Sequence, residues 1–160
     1  MRPITSNWKR LYTIAWAVWL LDFATKSWAL NSLDARNPVK LLGDFLQLTL
    51  YKNPGAAFSL AQGATIILTF FAISVVAVIS YYSIKITSFG WSIVLGLALG
   101  GILGNLSDRI FRAPGYFVGH VIDWIQLPNF PVFNLADSAI VVAATLAVIL
   151  SIRNISPMGA

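Results

Sequence analysis

Residues 91–110 read WSIVLGLALGGILGNLSDRI. Apolar or small side chains fill the first fourteen positions, and about twenty helical residues of this kind cross about 30 Å of hydrocarbon. They occupy every position of the helix turn, which is typical of a helix that faces lipid or other helices. Gly96, Gly100 and Gly104 recur every four residues, a spacing that lets a second helix approach closely. The stretch therefore predicts a membrane-spanning helix with a tightly packed neighbour.

Three other stretches of the chain have the same apolar character. They are residues 11–30, 64–83 and 137–152. Each is about as long as a helical membrane span requires. The sequence therefore predicts an all-α membrane protein with four transmembrane helices, in which residues 1–160 form a single integral membrane domain.

The connection at 31–63 has a different pattern. It alternates between apolar and polar residues in FLQLTLY, residues 45–51, and then breaks at Asn53-Pro54-Gly55. Alternation of this kind is typical of short strands, and Asn-Pro-Gly is a strong turn signal. We predict a small β element within 31–63, on the membrane surface.

The composition excludes several classes of function. Charged residues make up 11% of the 160 residues, against about 25% in an ordinary soluble domain. The eleven Lys and Arg are scattered, so the net charge of +5 suits anionic lipid headgroups, and we expect no nucleic-acid binding. With no cysteine and one histidine, His120, the chain lacks the residues for disulfides, cysteine nucleophiles and two-histidine zinc sites. We expect no metal and no cofactor.

The acidic residues gather on one side of the predicted bundle. All six are aspartates, and in a four-span topology each falls on the side that carries the connections 31–63 and 111–134. The predicted loops and tails carry five Lys and Arg on each side, but Arg2, Lys9 and Arg10 precede the first helix, which usually dominates the orientation. We predict cytoplasmic termini and an extracytoplasmic Asp cluster.

Asp123 and Asp137 are the candidate catalytic pair. Asp123 interrupts the apolar run VIDWI, whereas Asp137 begins a helix and has the alternative role of capping it. Two carboxylates close together at low dielectric do not both ionise, so the pair holds a base and an acid at once. The base would take a proton from water as it attacks a peptide carbonyl, and the acid would bind the carbonyl oxygen.

Other polar residues have two interpretations each. Asp22 and Lys26 are spaced i,i+4, and they either only hold the bundle together or support the site. Asp108 and Arg109 either pair at the membrane surface or leave Arg109 to hold a headgroup or a substrate carbonyl. We leave His120 outside the predicted site, because a lone loop histidine is more often incidental.

Two other functions also use membrane carboxylates. A small proton-coupled transporter would use the Asp cluster as a relay, but a relay needs ionisable groups at several depths, and the opposite half has no acidic residue. An assembly subunit would pair its Asp and Arg residues with another membrane protein.

Five blocks of sequence resemble the lipoprotein signal peptidase (signal peptidase II) family. They occur in the family's order and spacing and extend over nearly the whole chain. One block alone is a weak signal, whereas five in order are highly specific. The blocks are Asp22-Phe-Ala-Thr-Lys26, Asn53-Pro-Gly-Ala-Ala-Phe58, Gly100-Gly-Ile-Leu-Gly-Asn105-Leu-Ser-Asp108-Arg109, Val121-Ile-Asp123-Trp124 and Phe133-Asn134-Leu-Ala-Asp137.

The resemblance implies an aspartyl endopeptidase with four transmembrane helices and an extracytoplasmic β-cradle. It implies removal of the signal peptide from prolipoproteins, on the amino side of a diacylglyceryl-modified cysteine. The partners would be these substrates and membrane lipid, and we expect a monomer in the bacterial inner membrane. By position in the motifs, Asp123 and Asp137 would be catalytic. The residues expected to bind substrate or support the site are Asp22, Lys26, Asn53, Gly55, Asn105, Asp108, Arg109 and Asn134.

Overall fold

Four helices and a three-stranded sheet form the described part of the chain, residues 6–55 and 61–158 of a computed structural model. All four predicted stretches are helical, and each helix begins two or three residues earlier than predicted. The earlier starts arise at polar residues that precede the apolar stretch: Ser88 accepts a hydrogen bond from the Trp91 N–H, and Asn134 caps the last helix. The helices are α1 (Trp8–Ser32), α2 (Ala61–Ser83), α3 (Phe89–Phe111) and α4 (Leu135–Ile152).

Helix α3 is the centre of the bundle and packs against α1, α2 and α4. The predicted glycine seam faces α1, where a β-carbon on Gly100 would lie 2.6 Å from the backbone oxygen of Ala15. Gly101 faces α4 in the same way, because a β-carbon there would lie 2.5 Å from the oxygen of Ala136. Small residues thus bring three backbones into direct contact.

Three segments of the described chain are long and apolar enough to cross a membrane: Thr65–Ser83, Phe89–Phe111 and Leu135–Ile152. Helix α1 has 25 residues, or about 37 Å at 1.5 Å per residue. It is less apolar than the other three because it carries charged side chains, among them Asp22 and Lys26, which are buried inside the bundle.

The sheet has the order β1-β2-β3 and is antiparallel throughout. Strands β1 (Val39–Leu42) and β2 (Leu46–Asn53) lie inside the segment predicted to contain a β element. The third strand, β3 (Val121–Gln126), lies outside that segment, in the connection between α3 and α4, so the predicted extent of the β element was too small. Strand β3 forms because the edge of β2 that does not pair with β1 supplies hydrogen-bonding partners for the backbone N–H and C=O groups of residues 121–126.

The pairing of β2 with β3 positions the candidate site. Tyr51 lies opposite Asp123 and Asn53 lies opposite Val121, so Asp123 reaches the end of β2 where the chain turns. The predicted turn is present: the side-chain oxygen of Asn53 accepts the N–H of Gly55 at 2.8 Å, and Gly55 has φ +85°, which favours glycine. The remainder of this sequence block, residues 56–58, lies outside the described residues.

Candidate active site

The two candidate catalytic carboxylates are held on different elements. Asp123 projects from β3 and is 1% exposed, while Asp137 lies in the first turn of α4. Asn134 is the N-cap of that helix, and its side-chain oxygen accepts the N–H of Asp137 at 2.9 Å. An Asp137 oxygen, Oδ2, accepts the backbone N–H of Asn134 at 3.2 Å, which completes a capping box. Asp137 therefore does cap α4, and its other oxygen faces the site.

Three asparagine amides point their NH₂ groups at these carboxylates. The Nδ2 atoms of Asn53 and Asn134 donate to the two oxygens of Asp123 at 2.8 and 2.6 Å. The Nδ2 of Asn105 donates to Oδ1 of Asp137 at 2.7 Å. Each carboxylate thus accepts hydrogen bonds at both oxygens.

A group that can only donate fixes the orientation of each amide. Behind Asn53 it is the N–H of Gly55, behind Asn134 the N–H of Asp137, and behind Asn105 the ammonium group of Lys26. Because these groups bond the amide oxygen, the NH₂ end must face the carboxylates.

Lys26 connects α1 to α3 at the base of the site. Its Nζ lies 2.7 Å from Asp22 Oδ2 and 2.9 Å from Asp108 Oδ2, and it donates to Asn105 Oδ1 at 2.9 Å. Asp22 in turn accepts the N–H of Ala136 at 3.0 Å, which ties α1 to the start of α4. The pairing of Asp22 with Lys26, expected from the i,i+4 spacing, is confirmed.

Among the described residues Asp108 pairs with side chains other than Arg109, which counts against the first of the two interpretations of these residues. Its carboxylate binds Lys26, the side chain of Arg112 and the N–H of Ile122. Residues 108 and 109 are adjacent and point to different faces of α3, whereas Arg112 is one turn further along the face of Asp108. Arg112 was absent from the predicted site, although its i,i+4 spacing from Asp108 is the signal that identified the pair on α1.

Arg109 faces a cleft of about 590 Å³ that is also lined by Asn53, the residue whose side chain donates to Asp123. Its Nε is buried and has no hydrogen-bond partner among the described residues. A β-carbon on Gly55 would lie 3.0 Å from an Arg109 terminal nitrogen, so the glycine leaves the room that the guanidinium occupies. Sequence reasoning did not predict the apolar wall of this cleft, for which no motif gave a signal. The described lining residues are Tyr51, Asn53, Gly55, Arg109, Phe130, Pro131 and Val132.

The charge of Asp123 is disfavoured by its surroundings. The pKa of Asp123 is raised from 3.8 to about 6, mainly by burial and also by the negative charge of Asp137, while the hydrogen bonds from Asn53 and Asn134 oppose the rise. The site therefore holds a proton more readily than an exposed aspartate does. Within residues 6–55 and 61–158 no three acidic or histidine side chains are grouped to hold a metal ion.

The structure brings the ten predicted site residues together. Hydrogen bonds and ion pairs join nine of them into one network, and Arg109 lies beside it against Gly55. A family model described as Signal peptidase (SPase) II matches residues 14–153. This chain belongs to the signal peptidase II family. It is therefore a peptidase and a membrane protein, which argues against the transporter alternative.

Curated relatives of this signal peptidase II chain carry the name lipoprotein signal peptidase. The protein of Streptomyces coelicolor is 47% identical over 93% of this chain and 73% of its own length. That of Rhodococcus jostii is 44% identical over 99% of this chain and 80% of its own length. That of Mycobacterium tuberculosis is 45% identical over 90% of this chain and 71% of its own length.

Two solved structures have the same fold as this signal peptidase II chain. Both are described as a bacterial membrane enzyme studied by the in meso method, at 2.3 and 1.9 Å resolution. The first has a TM-score of 0.79 at 26% identity and covers 91% of this chain and 89% of its own. The second has a TM-score of 0.78 at 26% identity, with coverages of 88% and 91%.

Proposed function

We propose that this chain is an aspartyl endopeptidase that removes the signal peptide from prolipoproteins, cutting on the amino side of a diacylglyceryl-modified cysteine. One observation carries the proposal: Asn134 contacts both candidate carboxylates, with its side-chain NH₂ on Asp123 and its backbone N–H on Asp137. A shared partner of this size keeps the two carboxyl groups near one another beside the cleft. Such a pair supplies the acid and the base of peptide hydrolysis.

The two aspartates have different roles in the proposed reaction. Asp123, whose pKa lies at about 6, donates its proton to the scissile carbonyl oxygen. Asp137 lies at the positive end of α4, which suits a negative charge, and takes a proton from the attacking water. The tetrahedral intermediate then collapses: its C–N bond breaks, Asp137 returns the proton to the leaving nitrogen, and Asp123 recovers its own from the hydroxyl.

The cleft has the character that a lipidated peptide requires. Phe130, Pro131 and Val132 give it an apolar wall, and Arg109 gives it one cation. We propose that Arg109 donates to a backbone carbonyl next to the scissile bond. The diacylglyceryl group stays in the outer half of the bilayer and holds the peptide at the depth of the site, so a small enzyme needs few other contacts for positioning.

The proposed setting is the bacterial inner membrane. Helices α1 to α4 would all cross this membrane. The hydrocarbon would tolerate α1 because its charged residues Asp22 and Lys26 are paired and buried in the bundle. Both termini would be cytoplasmic, and the sheet and cleft extracytoplasmic. We propose that residues 1–160 act as one domain and as a monomer.

A cleavage assay tests the proposal. Purified protein in detergent is given a prolipoprotein with its diacylglyceryl group and, as the matched control, the same precursor without it. We expect only the lipidated precursor to be cut. Mass spectrometry should show that the released peptide ends at the residue before the cysteine. Cleavage of both precursors, or at another bond, would contradict the proposed substrate.

A further inference from the structure

A second pocket lies behind the sheet, on the face away from the cleft. Side chains alternate between the two faces of a strand, and in β2 Tyr51 and Asn53 face the cleft whereas Lys52 faces this pocket. The pocket measures about 340 Å³. We call it the rear pocket; its described lining residues are Leu30, Lys52, Phe111, Arg112, Ala113, His120 and Ile122.

The polar lining of the rear pocket is cationic or titratable. Lys52, Arg112 and His120 line it, and none of its described lining residues is acidic. The carboxylate of Asp108 binds Arg112 through that residue's Nε and also binds Lys26. The terminal nitrogens of Arg112 have no hydrogen-bond partner among the described residues.

The charge balance leaves the rear pocket positive. The two acidic and two basic side chains of the buried network, Asp22, Asp108, Lys26 and Arg112, cancel one another. Lys52 has no ion pair within the described chain, so its charge is in excess. A pocket with one uncompensated cation and free N–H donors favours an anion with several oxygen acceptors.

The apolar lining indicates the depth of the pocket. Leu30 lies two residues before the end of α1, and Phe111 is the last residue of α3. Phe111 is 75% exposed. The ends of membrane helices are where lipid phosphates lie and where Lys and Arg side chains reach toward them.

We propose that the rear pocket binds one anionic phospholipid of the leaflet that the sheet faces. Lys52 and Arg112 hold the phosphate, His120 donates to a phosphate or glycerol oxygen, and the acyl chains descend along Leu30 and Phe111. This site is distinct from the cleft and does not depend on the proposed peptidase activity. It is unlike a soluble-anion site because half its wall is apolar.

Native mass spectrometry of the full chain, delipidated in detergent, tests this site. The protein is titrated with dioctanoyl phosphatidylglycerol, with dioctanoyl phosphatidylcholine and with glycerol 3-phosphate. We expect one molecule of phosphatidylglycerol to bind tightly, phosphatidylcholine to bind more weakly, and glycerol 3-phosphate not to be retained. Equal retention of the two lipids would contradict the charge argument, and retention of glycerol 3-phosphate with the affinity of the lipid would overturn the lipid assignment.

Two variants locate the bound lipid. Lys52→Gln should weaken phosphatidylglycerol binding about fivefold, the effect of one cation near anionic lipid. Lys40→Gln, on β1 of the same sheet, is the matched control and should change nothing. Ala113→Leu fills the rear pocket without removing a charge and should also weaken binding. Unchanged affinity in both Lys52→Gln and Ala113→Leu would overturn the proposal.

Discussion

Asn134 has two functions that depend on one another. As N-cap it accepts the N–H of Asp137, and this bond turns its NH₂ group toward Asp123 and toward the side-chain oxygen of Asn105. The start of α4 and the hydrogen bonding of the proposed acid are therefore set by the same side chain. Aspartate caps helices as well as asparagine does, which allows the two functions to be separated.

Asn134→Asp should keep α4 intact and abolish most of the activity. A carboxylate oxygen would replace the donor that faces Asp123, so acceptor would meet acceptor. We expect kcat/KM to fall about 100-fold or more at pH 7, the usual effect of removing one active-site donor. Part of the lost activity should return at pH 5, where the introduced carboxyl group is protonated and can donate to Asp123.

Asn31→Asp is the matched control for that variant, because Asn31 is an exposed asparagine near the end of α1. It makes the same change of charge away from the cleft and should cleave like wild type. An Asn134→Asp enzyme with wild-type kcat/KM at pH 7 would show that Asn134 is only a cap.

The pH dependence of wild-type cleavage reports on Asp123. Its pKa of about 6 means that the free enzyme loses the proton of the proposed acid as pH rises through 6. The value of kcat/KM should therefore fall above that pH, approaching tenfold per unit. Cleavage of a fluorogenic lipopeptide between pH 4.5 and 8.5 measures this, and a profile that is flat from pH 6 to 8 contradicts the role of Asp123.

The same pKa shift makes the stability of the fold fall with rising pH, as the activity does. Because the pKa is raised from 3.8 to about 6, the stabilising effect of holding the proton is present below about pH 4 and is lost as pH rises through 6. At 1.36 kcal/mol per unit, the loss is at most about 3 kcal/mol. Asp123→Asn removes this titration, so we expect the stability of the variant to fall less than that of wild type between pH 4 and pH 7, as measured by thermal unfolding in detergent.

Helix α3 transmits the packing of the bundle to the site. Its glycines touch α1 on one face and α4 on another, and its C-terminal half carries Asn105 and Asp108. Gly104 contributes both to helix packing and to the site. A β-carbon there would collide with the carboxylate of Asp22 and would lie 3.2 Å from Ala136 Cβ. The carboxylate of Asp22 holds Lys26 and the start of α4.

Gly104→Ala should therefore reduce stability and activity together. Overpacking of this kind costs about 1–3 kcal/mol of folding free energy. Displacement of the Asp22 carboxylate would also shift Lys26, which donates to Asn105, and the start of α4. Gly90→Ala is the control on the same helix, since the three atoms nearest to its β-carbon all belong to the flexible side chain of Leu150. Thermal unfolding and kcat/KM of the two variants check this, and a Gly104→Ala enzyme with both values unchanged would contradict it.

The elements differ in how far the sequence predicts them. Helices and the i,i+4 pair of Asp22 and Lys26 are local, so hydropathy and spacing predict them. Strand β3 depends on β2, about seventy residues earlier, and no local pattern carries that pairing. For the same reason the family motifs identify Asn53 and Asp123 separately, whereas their hydrogen bond is visible only in the fold.

The proposed reaction requires the sheet and the cleft to lie on the extracytoplasmic side of the membrane. The chain contains no cysteine, so single cysteines can be introduced without a background. Asn37→Cys, in the turn before β1, should react with a membrane-impermeant maleimide on intact spheroplasts. Lys85→Cys, between α2 and α3, should react only after the membrane is opened. The reverse pattern would invert the proposed orientation.

We propose that Asp123 and Asp137 perform the hydrolysis, and single-turnover cleavage of a lipidated prolipoprotein tests this role directly. Asp123→Asn and Asp137→Asn would be compared with Asp44→Asn, whose carboxylate is exposed and pairs with Lys40 on the sheet surface. We predict a loss of about 10³-fold or more in each of the first two, within the range for removing an essential acid or base. Asp44→Asn should cut like wild type. Thermal unfolding should show that all three variants are folded. Cleavage within tenfold of wild type by either Asp123→Asn or Asp137→Asn would contradict the claim.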